Sequence, residues 1–235
     1  MSIDLGIMQG RMSTKLGQEL QSFPYKEWKE EFHRAKDFNF QYIELLLDNF
    51  EDKANPITTQ LGRKEILKVS KKNSVDLKSI CAHSFINNNF FSKEENNSII
   101  SSLVDVCKWA MELDIRNINI PIEVRQPVKY TAFENIKKIF ELIKIPKSIN
   151  LLIEIDLNGR DTIELLNTVD NDQINLLYDL GNANASKFDI MGDLEILYER
   201  VFEIHLKDRS FKNGKSYQLG LGNTPFSKIA NLLGR

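Results

Sequence analysis

Seven short apolar runs alternate along the chain with longer segments of helical periodicity, and this alternation constrains the fold more than any other feature. Each run is rich in Ile, Leu, Val or Phe, as expected for a strand that is covered on both faces. The candidate strands read IDLGIMQG, FQYIELLL, LKSICAHS, RNINIPI, NLLIEID, INLLYDLG and VFEIHLKD. Repeated strand–helix units predict parallel strands joined by right-handed crossovers.

The segments between these runs carry apolar residues at helical spacing. Pro24 is expected to open the first helix, in which Trp28, Phe32 and Ala35 share one face. Similar stripes recur around residues 99–110 and 133–143, in DTIELLNTV and in the terminal TPFSKIANLLGR. No glycine-rich phosphate loop follows the first strand, which disfavours a dinucleotide-binding fold. The pattern therefore predicts an α/β protein, a TIM (β/α)8-type barrel forming one domain over residues 1–235.

The predicted barrel lacks its eighth strand and eighth helix. Such barrels typically take about 250 residues, and the apolar pattern here ends in a helix that would follow strand seven. Without strand eight, strands one and seven keep unpaired edges. We expect the natural protein to continue beyond Arg235. The alternative is an open barrel that a partner chain closes.

Composition excludes several classes of partner. The 31 basic and 33 acidic residues give a net charge of −2, so we expect neither nucleic acid nor an anionic membrane to bind. No apolar run approaches the roughly 20 residues of a membrane span, and the N-terminus lacks a secretion signal. Cys81 and Cys107 lie in apolar surroundings, which favours reduced thiols. We expect a cytoplasmic protein, and a homodimer remains open.

Polar side chains stand at the ends of strands five, six and seven, where such barrels carry their catalytic groups. Strand five ends in Glu154 and Asp156, which share a face, strand six ends in Asp179, and strand seven contains His205. Two carboxylates and an imidazole at one barrel mouth suit Mn²⁺, Mg²⁺ or Zn²⁺, and this ligand set does not choose among them. The alternative is polar strand ends around a hydrogen-bonded histidine.

The sequence resembles the sugar phosphate isomerase/epimerase superfamily with the xylose isomerase-like barrel, and most closely its hexulose-phosphate isomerase/epimerase-like branch. The matching pieces, in the family's order, are GIMQGRMS, FNFQYIELLLDN, SICAHSF, LLIEID, YDLGNANA, EIHLKDRSFKNG and LGLGNTPF. The resemblance implies metal ligation by Glu154, Asp179 and His205, with a fourth, strand-eight glutamate that has no counterpart here. It also implies that Glu154 is a catalytic base in proton transfer through a metal-stabilised enediolate. Some relatives instead cleave by a retro-aldol route.

The same resemblance implies a small sugar or sugar phosphate as substrate. Seven residues around the mouth are predicted to contact it: His83, Glu44, Arg11, Gln9, Asn182, Lys207 and Arg209. Lys207 and Arg209 follow strand seven, a common place for phosphate binding in these barrels. Three of the seven also have a structural alternative. His83 fits a hydrogen-bonded rim histidine, Glu44 an ion pair with a nearby cation, and Arg11 a solvated side chain.

Two other functions compete with the isomerase or epimerase. The superfamily's barrel also serves apurinic-site DNA endonucleases, but their three-metal clusters need many histidines, and this chain has only three. A non-catalytic or degenerate sugar-binding relative would also lack the fourth ligand and the closed barrel. Retention of stoichiometric Mn²⁺ or Zn²⁺ would argue against that degenerate relative.

Overall fold

A computed structural model of the protein describes residues 3–14, 21–124 and 132–234. No helix in these ranges is long and apolar enough to cross a membrane. The described residues form an α/β structure in which a parallel sheet is flanked by helices. The predicted fold class is therefore confirmed.

The main sheet contains seven parallel strands in sequence order. Their bounds are β1 Gly6–Met8, β2 Tyr42–Leu46, β3 Asp76–Cys81, β4 Asn117–Ile122, β5 Asn150–Ile155, β6 Ile174–Asp179 and β7 Val201–His205. All seven candidate strands are confirmed. Within the described ranges β1 and β7 each pair with a single neighbour. A small antiparallel pair, β8 Asp208–Arg209 and β9 Ser216–Tyr217, follows β7 and was not predicted.

Helices follow the strands as crossovers. Their bounds are α1 Trp28–Asp37, α2 Gln60–Asn73, α3 Asn96–Glu112, α4 Phe133–Leu142, α5 Gly159–Val169, α6 Leu180–Ala185, α7 Ile190–Leu197 and α8 Phe226–Leu233. Buried residues of α1, α3, α4 and α5 include the predicted stripes, such as Phe32, Leu103 and Ile136. The prediction that Pro24 opens α1 is wrong. Its carbonyl accepts the N–H of Glu27 in a turn, so the helix begins one turn later.

The sheet is curled, although it has only seven strands. Strands lie about 4.8 Å apart, so in a flat sheet β2 and β7 would be about 24 Å apart. Instead, Glu44 of β2 lies 2.9 Å from His205 of β7. Ser79 of β3 likewise donates a hydrogen bond to Glu203 of β7. Strands β2 and β3 therefore face β7 across an interior, and their side chains meet there.

Candidate active site

The three predicted ligands converge at the carboxyl ends of neighbouring strands. Glu154 lies in β5, Asp179 ends β6 and His205 ends β7. One ligand atom from each lies within 4.8 Å of the others. Asp179 is 5% exposed and also caps α6, because its carboxylate accepts the backbone N–H of Asn182. Asp156 lies beyond the end of β5 and is exposed.

The imidazole of His205 has two different environments. Its Nε2 lies 2.9 Å from Oε2 of Glu44, a carboxylate that is itself buried. Its Nδ1 lies 3.8 Å from Oδ2 of Asp179 and has no hydrogen-bond partner. Glu44 thus contacts a nearby cationic group, one of the two roles the sequence left open for it. With Nε2 donating to Glu44, loss of the other ring proton would present the lone pair of Nδ1 to Asp179 and Glu154.

Two of the three predicted ligands carry an atom without a hydrogen bond, although Oδ2 of Asp179 also forms an ion pair with Lys207. Both Nδ1 of His205 and Oδ2 of Asp179 are buried without a hydrogen bond, which a native structure seldom leaves unexplained. Ligand bonds of about 2.1 Å place two ligands of one ion about 3.0 to 4.2 Å apart, for bond angles between about 90° and 180°. The 3.8 Å between these two atoms lies in that range. The donor set of one nitrogen and carboxylate oxygens suits Mn²⁺, Mg²⁺ or Zn²⁺.

Burial and mutual charge set the protonation of this cluster. Burial raises the pKa of Glu154 to about 7, and the charge of Asp179 adds to that rise while His205 opposes it. Burial alone would raise the pKa of Asp179 as well, but His205 and Lys207 together hold it below its ordinary value. Burial would lower the pKa of His205, yet Glu44 and Asp179 raise it well above the ordinary value. Glu154 therefore has a pKa of about 7 and lies beside Asp179, which stays ionised.

A second acidic group lies deeper in the barrel and was missed from the sequence. Glu203 lies two residues before His205 on β7 and accepts a hydrogen bond from Ser79. Asn119 of β4 donates to Glu44, and burial raises the pKa of Glu203 to about 7. The signal for Glu203 was present, because a period of two puts it on the same face as His205.

Three of the predicted substrate contacts lie around the mouth on the early strands. Gln9 is buried after β1, where its Oε1 accepts the backbone N–H of Leu46 and its Nε2 has no partner. Arg11 follows and is exposed. His83 is half-buried after β3, and burial lowers its pKa. His33 is exposed on α1, so His205 and His83 are the two histidines near the mouth.

The remaining predicted contacts lie after β6 and β7. The ammonium of Lys207 lies 2.5 Å from Oδ2 of Asp179 as an ion pair, without the geometry of a hydrogen bond. Asn182 donates through Nδ2 to Oε1 of Glu154 at 3.2 Å. Arg209 donates through Nη1 to Oδ1 of Asn182 at 2.9 Å. Lys207, Asn182 and Arg209 thus all contact the acidic cluster directly or through one another.

Comparison with known protein families identifies the family of this chain. Residues 32–235 match the model of the xylose isomerase-like TIM barrel family. The match covers most of the chain, and the protein therefore belongs to that family. No curated protein sequence matches it significantly.

Solved structures of several activities share the fold. D-allulose 3-epimerase from Methylomonas sp., solved with D-allulose, aligns with a TM-score of 0.73 at 13% identity over 99% of this chain and 80% of that one. The 3-keto-D-glucoside 4-epimerase of E. coli aligns at 0.73 and 12% identity, over 99% and 88%. A family 2 AP endonuclease from Brucella melitensis aligns at 0.70 and 14%, also over 99% and 88%. At these identities the likeness is one of fold.

Proposed function

We propose that the protein is a divalent-metal-dependent isomerase or epimerase of a small sugar or sugar phosphate. One observation carries the proposal. A carboxyl with a pKa of about 7, Glu154, lies beside a buried histidine nitrogen and a buried carboxylate oxygen that both lack hydrogen bonds. The two sugar epimerases of the same fold support the choice of substrate class.

Glu154 is the proposed base. Its carboxylate lies at the barrel mouth, where it would accept a proton from a bound sugar and return it. It takes the proton from the carbon next to the sugar carbonyl, and the C–H electron pair moves toward the carbonyl oxygen to give an enediolate. Return of the proton to the former carbonyl carbon, together with transfer of the hydroxyl proton from the first carbon's oxygen to the former carbonyl oxygen, gives the isomer. Return to the same carbon on its opposite face would invert that carbon.

Glu154, Asp179 and His205 would hold the ion. A bound divalent ion would supply Lewis-acid stabilisation of the negative charge that develops on the substrate oxygens. Glu44 keeps the proton of His205 on Nε2, which leaves Nδ1 as a ligand. Asn182 donates a hydrogen bond to Oε1 of Glu154. The other carboxylate oxygen, Oε2, is then the one proposed to bind the ion or to accept the proton.

Substrate contacts are proposed for four residues of the mouth. Gln9 has an Nε2 donor that the protein leaves without a partner, which suits a sugar hydroxyl or carbonyl oxygen. His83 has a lowered pKa, so as a neutral imidazole it can donate to a hydroxyl or accept from one. Arg11 and Lys207 are cations at the same mouth, and they suit a phosphate or another anionic end of the sugar.

Two reaction outcomes place different demands on the chain. Transfer between neighbouring carbons on one face needs one base, which Glu154 supplies. Inversion at one carbon needs a second acid on the opposite face. In the described ranges Asp179 caps α6 and Glu44 contacts His205, whereas Asp156 lies exposed after β5. Identification of the product by NMR separates isomerisation from epimerisation.

The test is proton exchange with solvent. The protein is stripped with EDTA, reloaded with Mn²⁺, Mg²⁺ or Zn²⁺, and incubated in D₂O with ketopentoses, ketohexoses and their phosphates. Deuterium appearing at the carbon next to the carbonyl, seen by NMR, is the expected result for the loaded protein. Glu154→Gln should abolish the exchange, because an amide cannot accept the proton.

The matched control is Glu164→Gln, which removes a carboxylate from the exposed face of α5. It should exchange at the wild-type rate. If Glu154→Gln also exchanges at that rate, Glu154 is not the base. If the wild type binds metal and sugars but no panel member exchanges, the proposal fails in favour of a sugar-binding protein.

A further inference from the structure

The residue that links the acidic cluster to the loop after β7 is Asn182. Its backbone N–H donates to Oδ1 of Asp179 at 2.9 Å, and its side-chain Nδ2 donates to Oε1 of Glu154 at 3.2 Å. Asn182 therefore contacts two of the three proposed ligands. Its side-chain amide could be turned by 180° without a change in shape, which would exchange the oxygen and the NH₂ group. Something outside the cluster must select between the two orientations.

Arg209 meets the other end of that amide. Its Nη1 donates to Oδ1 of Asn182 at 2.9 Å, and its Nε donates to the carbonyl of Gly214 at 2.7 Å. Gly214 has a φ of +64°, the left-handed region that favours glycine. A Cβ on Gly181 would lie 2.4 Å from Cβ of Lys207 and 3.2 Å from Cδ of Arg209. The absence of a side chain at Gly181 therefore allows residues 207–209 to pack against the start of α6.

The backbone of Arg209 is held as firmly as its side chain. Its carbonyl accepts from Nδ2 of Asn184 at 2.5 Å and from the N–H of Asn223 at 3.2 Å. The residue also forms part of the two-residue strand β8, which pairs with β9. The guanidinium is thus fixed in place by the β8–β9 hairpin before any substrate arrives.

We infer that Arg209 is a positioning residue, which fixes the amide of Asn182 so that its NH₂ group faces Glu154. Arginine has only donors, so the group it meets on Asn182 must be the amide oxygen. The NH₂ group then points to Glu154 and donates to its Oε1. The reversed amide would oppose donor to donor at Arg209 and oxygen to oxygen at Glu154. Arg209 thereby acts on the proposed base through Asn182, and its Nε and Nη1 are not available to the substrate.

This inference rests on the proposed role of Glu154, and a double-mutant cycle tests it. Arg209→Met, Asn182→Ala and the double variant are compared with the wild type for kcat and KM. Arg209→Met should lower kcat about 10- to 100-fold, as misplacement of a reacting group does, with KM changed less than about threefold. The double variant should be no slower than Asn182→Ala alone, because the effect of Arg209 passes through that residue. Arg209→Lys, which keeps one donor, should recover part of kcat.

A readout without turnover separates this inference from the proposed function. In protein with ¹⁵N-labelled asparagine, the two side-chain NH₂ protons of Asn182 should be widely separated in shift and slow to exchange. That separation should collapse in Arg209→Met. The exposed Arg160 of α5 supplies the control, and Arg160→Met should change neither the NMR signal nor kcat.

Three results overturn the inference. The first is a rise in KM with kcat unchanged, which would make Arg209 a substrate ligand. The second is a kcat loss from Arg209→Met that persists in the Asn182→Ala background. The third is an unchanged Asn182 amide signal in Arg209→Met. If instead the wild type shows no proton exchange with any sugar, the proposed function fails, and the NMR signal alone decides the role of Arg209.

Discussion

The carboxylate of Asp208 is predicted to hold the segment that follows the β8–β9 hairpin. It is 2% exposed and accepts three backbone N–H groups, from Gly220 at 2.9 Å, Gly222 at 2.8 Å and Thr224 at 3.0 Å. A Cβ on Gly222 would lie 2.2 Å from Oδ1 of Asp208, so the chain approaches the acid as closely as glycine permits. We therefore expect Asp208→Asn to destabilise the fold.

The expected loss follows from counting hydrogen bonds. Asparagine fills the same space but has one oxygen, which can keep the two bonds to Gly220 and Gly222 that Oδ2 now accepts. Its NH₂ group then opposes the N–H of Thr224. One hydrogen bond to a charged acceptor is worth about 1.5–3 kcal/mol, and the two that remain weaken to neutral bonds of about 0.5–1.5 kcal/mol each. The free energy of unfolding should fall by about 3.5–6 kcal/mol.

Urea denaturation with an unchanged m value measures this loss, and the melting temperature should fall by roughly 2–4 °C per kcal/mol for a chain of this size. Asp105→Asn is the control, since Asp105 is half-exposed on α3 and pairs only with Lys108. That exposed pair should contribute less than about 1 kcal/mol.

The loss should also depend on pH. Burial alone would raise the pKa of Asp208, but the N–H groups of Thr224, Gly222 and Gly220 lower it below its ordinary value. A lowered folded-state pKa gives stability that is present above the unfolded value of about 3.9 and lost as the pH falls through the folded value. The difference between wild type and Asp208→Asn should therefore be constant from pH 5 to 7 and shrink below about pH 4. A difference under about 0.5 kcal/mol at pH 7, or one that persists unchanged at pH 3, would refute the reasoning.

Three further predictions concern the cluster and the core. Metal affinity should rise as the pH increases through 7, because the raised pKa values of His205 and Glu154 mean that protons must leave before the ion binds. Calorimetry in buffers of different ionisation enthalpy should detect the released protons, and pH-independent affinity would contradict the prediction. Glu44→Gln should weaken metal binding about 10- to 100-fold, because a weaker acceptor then orients His205. Chelator competition measures this loss. Equal affinity of the wild type and the variant would show that Glu44 does not orient His205 for metal binding. Phe85→Ala should cost about 3–5 kcal/mol in urea denaturation, since the ring is fully buried between two other phenylalanines; a loss below about 1 kcal/mol would show that the site collapses around the gap.

The fold was predictable because parallel strands covered on both faces leave a strong apolar signal. Runs such as NLLIEI and INLLYD are mostly apolar on both faces, and both form strands where expected. The β8–β9 hairpin carries no such signal. Its strands are two residues long. Its position depends on hydrogen bonds from Arg209 to the carbonyl of Gly214 and from the N–H of Gly220 to Asp208. Polar contacts of this kind are not periodic in sequence, and so a pattern of apolar residues cannot predict them.

The candidate site was predictable in composition, since strand ends alone bring Glu154, Asp179 and His205 together. The orientation of the imidazole was not, because a histidine has two ring nitrogens and the sequence does not distinguish them. The curl of the sheet decides it: Glu44 comes from the far side of the barrel, occupies Nε2, and leaves Nδ1 beside Asp179. A flat sheet would keep β2 and β7 about 24 Å apart, and either nitrogen could then face the acids. The three side chains of the candidate site therefore follow from strand ends, while the ring nitrogen that His205 turns toward Asp179 follows from the curvature of the barrel.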